Sequence, residues 1–191
     1  MLERKRKLDC ANGREKADLV LKNGNVLNVF TEEVLKADVA ICGDTIVGVG
    51  EYEGKEEIDC TGKYLVPGFI DAHMHIESCM AAPGELAKVL AKAGTTTIIA
   101  DPHEIVNVSG MDYFLKCAAK LLVNVFFMVP SAVPATDVET NGCGEFLASD
   151  MLKYVDNARV IGLGETMRFM ECCEGEKRMA DKLELFAKKH I

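Results

Sequence analysis

The 191 residues are 49% hydrophobic and 27% charged, with a formal net charge of −8. That balance is too apolar for a disordered chain, and it excludes an ordinary nucleic-acid binder, whose phosphate-facing surface must be basic. No run of about 18 apolar residues occurs, so no membrane span is expected and the expected partner is a small molecule. Eight cysteines without a Cys-x-x-Cys pair do not read as a zinc knuckle or a disulfide framework, and most of them read as reduced core residues of a cytoplasmic protein.

Residues 1–16 are polar, and the basic run Arg4 to Lys7 reads as a solvated N-terminal turn because no signal-peptide-like apolar segment follows it. Residues 17–63 alternate in short strands over 18–22, 26–30, 37–41 and 45–49. Asn23-Gly24 and Gly43-Asp44 supply hairpin signals between them. The pattern predicts a small antiparallel β domain, an incomplete β-sandwich with little core of its own.

From residue 64 the text becomes strand, loop, helix. Strands are predicted over 64–72, 95–100, 123–129 and 160–164, and helices over 83–93, 111–121, 146–154 and 177–189. Strand starts recur at roughly thirty-residue intervals, the length of a βα unit. The fold class is therefore α/β, with residues 64–191 as the first four βα units of a TIM-type (β/α)8 barrel. Such a barrel takes about 250 residues, and His190-Ile191 fall where a fifth strand would begin. The expectation is the front part of a longer protein, inactive alone, with apolar strand edges that a homo-oligomer or another partner would cover.

The groups with chemical potential cluster at predicted strand ends, which share one face of a barrel. His73 and His75 alternate with Met74 in Asp71-Ala-His-Met-His, so an extended chain turns both imidazoles the same way, about 6–7 Å apart at Cβ. They are the first candidates for metal ligands, although a bare His-x-His also occurs as packed or loop histidines. Glu165 ends Val160-Ile-Gly-Leu-Gly-Glu and is the third candidate ligand, able to bridge two ions; the plainer alternative is a carboxylate at a helix N-terminus. Asp101, His103 and Glu104 in Asp-Pro-His-Glu are read as a loop of catalytic ionisable groups, with His103 or Glu104 suited to proton transfer. Glu77 and Ser78 are candidates to orient His75. The loop 130–144, with Glu139 and Thr140, is long enough to wall a pocket.

Pro67, Gly68, Ile70, Asp71, His73 and His75 together resemble the opening strand of the amidohydrolase superfamily, Pro-Gly-x-Ile-Asp-x-His-x-His. His75-Ile-Glu-Ser, Gly94-Thr-Thr-Thr, Asp101-Pro-His-Glu with Asn107 and Gly110, Val129-Pro-Ser with Val133-Pro-Ala-Thr, and Gly162-Leu-Gly-Glu resemble its adenine deaminase branch, in order, from about Ala17 onward. Cys79 and Arg168 depart from that pattern, where a serine and an asparagine are more usual. The resemblance implies metal-dependent hydrolysis of adenine to hypoxanthine and ammonia in purine salvage, at a binuclear divalent centre of manganese, iron or zinc. Two alternatives stay open: another cyclic amidohydrolase, dihydroorotase-like or imidazolone-hydrolysing, and a non-catalytic half barrel that needs a partner.

Overall fold

The computed structural model describes residues 2–139 and 144–189, and the chain divides into two compact units, 1–67 and 68–191. Thr140 and His190-Ile191 therefore lie outside the described residues.

The first unit opens with α1 (Leu2–Ala11). The solvated turn expected at Arg4 to Lys7 is helical, and two of its four basic residues are engaged within the unit. Arg6 pairs with Glu15 and Asp18, and the Lys7 ammonium donates to Asp44 at 2.8 Å and to Thr45 at 2.9 Å. The strands β1 (Ala17–Asn28), β2 (Glu33–Cys42), β3 (Thr45–Gly50) and β4 (Gly54–Asp59) form one sheet in the order β3-β2-β1-β4, with β5 (Tyr64–Leu65) also on β1. The pairs β1–β2 and β2–β3 are antiparallel, but β4 and β5 run parallel to β1. The expected antiparallel domain is thus a mixed sheet. Alternation identifies a strand and its buried face, but it carries no information about strand direction.

Asn23-Gly24 is also corrected. It does not turn the chain; β1 runs through it with a register shift between Leu21 and Gly24, and Asn23 takes a φ of +60°. This is a bulge, where one extra residue is accommodated by a left-handed backbone that asparagine tolerates. Gly24 is needed because a Cβ there would collide with the Leu65 side chain. Asp38, nearly buried, accepts the Lys22 ammonium at 2.5 Å and the amides of Asn23 at 2.9 Å and Tyr52 at 3.2 Å, tying the bulge to the next strand.

In the second unit, β6 (Phe69–Met74), β7 (Thr95–Ala100), β8 (Asn124–Val129) and β9 (Val160–Leu163) form a parallel sheet in sequential order. Parallel neighbours joined through helices are consistent with part of a barrel-type domain. The strand expected over 64–72 is two strands. Pro67, which has no N–H to give a ladder, separates β5 from β6. Helices α2 (Pro83–Lys92), α3 (His103–Ser109), α4 (Asp112–Ala118), α5 (Ala148–Met151), α6 (Phe169–Glu174) and α7 (Lys177–Lys189) complete the unit. The expected loop Asp101–Glu104 is therefore half helix. Pro102 stands immediately before α3, where a ring-fixed φ helps start a helix and a missing N–H costs nothing.

The core lies between the sheet and its helices. Ile98 and Ala100 from β7, Val125, Phe127 and Val129 from β8, and Val160 from β9 pack with Ala87, Phe114, Ala118 and Phe186 from α2, α4 and α7. The Phe114 and Phe127 rings meet edge-on at 6.3 Å, and burial of one such ring contributes about 1.5–3 kcal/mol. The edge strand β6 is different: Phe69 and Ile70 are exposed. No described helix is long and apolar enough to cross a membrane.

Candidate metal centre

The C-terminal end of β6 breaks its register with β7 between Asp71 and Met74, so an extra residue is inserted just where the histidines lie. Such a bulge re-aims side chains at a strand end. The Asp71 carboxylate accepts the His73 amide at 3.2 Å, and the His73 and His75 Nε2 atoms come to 3.2 Å from each other. Glu165, two residues beyond β9, places Oε1 at 3.2 Å from His75 Nε2. One ligand atom from each of the three lies within 4.8 Å of the others. Nitrogen lone pairs and a carboxylate oxygen this close repel unless a proton or cation lies among them. Two imidazoles and a carboxylate are a donor set suited to a divalent ion such as zinc, iron or manganese.

Behind His75 lies a second layer of contacts. Its Nδ1 faces Glu104 Oε2 at 3.6 Å and Glu77 Oε1 at 4.0 Å. Glu104 is held in turn: its amide donates to Glu77 at 3.2 Å, and the Ser78 hydroxyl donates to its Oε1 at 3.3 Å. A carboxylate at the far nitrogen is how a metal-binding imidazole is usually oriented. Burial and the neighbouring Glu104 carboxylate push Glu77 up to about 8, while the hydrogen bond with Glu77 holds Glu104 below its ordinary value.

Glu165 is held through its backbone. Its amide donates to Asp101 Oδ2 at 2.8 Å, and its carbonyl accepts the Ser131 hydroxyl at 2.5 Å. Asp101 and Ser131 are both 1% exposed. Burial raises the Asp101 pKa, against the opposing effect of the Glu165 amide. Gly164 makes the arrangement possible, since a Cβ on it would run into the Asp101 carboxylate.

His103 stands farther out, its Nδ1 4.0 Å from Glu104 and its Nε2 4.0 Å from Glu139. One turn along α3, the buried Asn107 donates to Glu139, which also accepts the Ala135 amide at 2.7 Å. Among the described residues, buried polar atoms without a partner are His75 Nδ1, Glu77 Oε2, Asp101 Oδ1, His103 Nε2 and Asn107 Oδ1. Interiors rarely leave such atoms unpaired, and all five belong to this neighbourhood, as expected of a place built to receive polar ligands.

The structure thus brings His73, His75 and Glu165 together and sets Glu77, Ser78 and Glu104 behind His75. Asp101 meets the Glu165 backbone, and His103 faces Glu139. Ser78 reaches Glu104 and not His75. Ser131 and Asn107 carry contacts that no local pattern announces, because their partners are 34 and 32 positions away.

Residues 64–189 match the amidohydrolase family. The chain belongs to that family. This amidohydrolase is 54% identical over 177 residues to an adenine deaminase of Desulfitobacterium hafniense strain Y51, a match covering 91% of the chain and 31% of that protein. It is 48% identical over 182 residues to an adenine deaminase of Clostridium acetobutylicum, covering 94% of the chain and 32% of the relative. A crystal structure of an adenine deaminase aligns with 61% of the chain and 31% of its own, at 28% identity and a TM-score of 0.49. The amidohydrolase chain spans about a third of the length of these relatives.

Proposed function

We propose that these residues form the first part of the active site of a metal-dependent hydrolase that deaminates free adenine to hypoxanthine and ammonia. The observation that carries this reading is the meeting of His73, His75 and Glu165 at 3.2 Å contacts, in a chain so similar to adenine deaminases. The parallel sheet is read as the first four βα units of a (β/α)8 barrel, and turnover as needing a chain of the relatives' length.

His73, His75 and Glu165 would hold the divalent metal of a binuclear centre. Manganese, iron and zinc all suit such donors. When bound, the ion acts as a Lewis acid and lowers the pKa of a coordinated water. Glu104 and His103 are the proposed proton carriers. Glu104 stands between His75 and His103, and His103 between Glu104 and Glu139, an order in which a proton can be passed toward the departing amine. Asp101, with one oxygen committed to Glu165 and the other unpartnered, is the third ionisable group proposed for the site. In the reaction the C6–N bond breaks and a C6–O bond forms. One water proton leaves with ammonia and the other stays on the ring.

The test is ammonia release from adenine by the protein purified at its native length and loaded with manganese, run beside a panel of cyclic amides. Adenine turnover lost in His73→Ala is expected. Hydrolysis of a cyclic amide without adenine turnover would replace adenine as the substrate.

A further inference from the structure

Along α7, Met179 and Phe186 are buried against the core, and Lys182 lies on the same face at the helical spacing of three and four residues. That position calls for an apolar side chain. Lys182 is nevertheless 3% exposed, and its Nζ donates to the Ser131 carbonyl at 2.7 Å. Burial pushes its ammonium down to about 8, so the residue is held in an environment that disfavours its charge. A buried charge of this kind is weak support for stability.

The contact continues inward. Ser131, held at its carbonyl by Lys182, donates its hydroxyl to the Glu165 carbonyl at 2.5 Å, while Asp101 holds the Glu165 amide at 2.8 Å. Both peptide groups flanking the Glu165 side chain are therefore pinned by buried partners. The Glu165 side chain itself stays 45% exposed and available as a ligand. The ends of β7 and β8 supply the two clamps, and α7 locks one of them.

Resting on the reading of His73, His75 and Glu165 as metal ligands, we propose that Lys182 is a positioning residue for the metal centre, fixing Glu165 through Ser131. Lys182 acts through its bond to the Ser131 carbonyl. Its effect is to keep the Ser131 hydroxyl on the Glu165 carbonyl, so that the carboxylate is presented without a search over backbone conformations.

The experiment is cobalt(II) titration of the purified protein, read by the visible absorbance of the bound ion, with thermal unfolding in chelator measured alongside. Lys182→Met leaves the Ser131 carbonyl without its donor, so it is expected to unfold at a somewhat lower temperature and to bind cobalt about 10- to 100-fold more weakly, the usual loss when an outer partner of a ligand is removed. Ser131→Ala is expected to lose a similar factor. The double variant should be no weaker than the weaker single one, because the two residues act in series. Wild-type cobalt affinity in Lys182→Met overturns the proposal, as do losses that multiply in the double variant. Should Lys182→Met fail to fold, Ser131→Ala decides: wild-type affinity there rejects the clamp. A wild-type protein that takes up no cobalt, or takes it up equally after His73→Ala, instead rejects the ligand reading on which the clamp rests.

Discussion

The Glu165 amide and Asp101 Oδ2 are 2.8 Å apart because Gly164 leaves the space in which the carboxylate sits. A methyl group at 164 would overlap both Asp101 carboxylate oxygens, and neither the strand end nor the buried Asp101 has free room to retreat. Gly164→Ala should therefore destabilise the protein by about 1–3 kcal/mol, the usual range for overpacking, and weaken divalent-ion uptake by displacing Glu165. Denaturant titration and metal binding measured on the same variant check both parts. An unchanged metal affinity would mean that the Asp101 contact is incidental to the ligand geometry.

A ligand that binds the folded state alone raises its stability by mass action, by about 2.7 kcal/mol when the free ion is a hundredfold above its dissociation constant. Adding a chelator should accordingly lower the unfolding temperature of the metal-loaded protein. In His73→Ala and Glu165→Gln that difference should shrink or vanish, since each removes one of the three converging donors. The readout is thermal unfolding with and without chelator. Equal shifts in wild type and both variants would place the ion elsewhere.

The contrast between His73 and Lys182 shows which features were legible in the sequence. A strand's two-residue period turns His73 and His75 to one side, and the glycines before Glu165 mark a strand end approached closely by other groups, so local text suggests these three as ligands. The bond from Lys182 to Ser131 spans 51 positions, and nothing in a local period reports which strand end will lie under a helix. An interruption in an apolar face, Met179-x-x-Lys182-x-x-x-Phe186, was the available signal. Asn23-Gly24 failed for a related reason. The dipeptide encodes a left-handed backbone, and only pairing with distant strands decides whether that makes a hairpin or a bulge. His103 opened a helix because Pro102 serves equally well in a turn and before a first helical turn.

Arg168 fastens the segment after β8 to the start of α6. Its guanidinium donates to the Pro134 carbonyl and to Asp137, each at 2.9 Å, and to Glu171 at 2.5 Å, while its side chain is only 8% exposed. The planar fork serves three acceptors at once, which a lysine ammonium on a single flexible stem cannot reproduce. Arg168→Lys should loosen residues 134–137, read as faster amide hydrogen exchange at Ala135, whose amide is otherwise held by Glu139. Slow exchange at Ala135 retained in the variant would show that Glu139 alone holds the segment.

Asp38 ties the stability of the first unit to pH. Burial alone would raise its pKa, but the Lys22 ammonium and the amides of Asn23 and Tyr52 outweigh that effect and leave it below the ordinary 3.8. A carboxylate depressed in the folded state adds stability that is complete above its unfolded value and is lost as pH falls through its lower folded value. The wild-type sheet should therefore weaken as the pH drops below 3.8, and Asp38→Asn should remove this part of the acid dependence. At neutral pH the same substitution should destabilise by about 1–2 kcal/mol, because Lys22 and the bulge at Asn23 lose their charged acceptor. Amide exchange at the buried Val20 and Ala40, followed against pH in both proteins, reads the first unit directly. An acid limb of the same steepness in Asp38→Asn would assign the dependence to another carboxylate, with Asp18, held down to about 2 by the Gly43 amide, Lys55 and Arg6, as the next to replace.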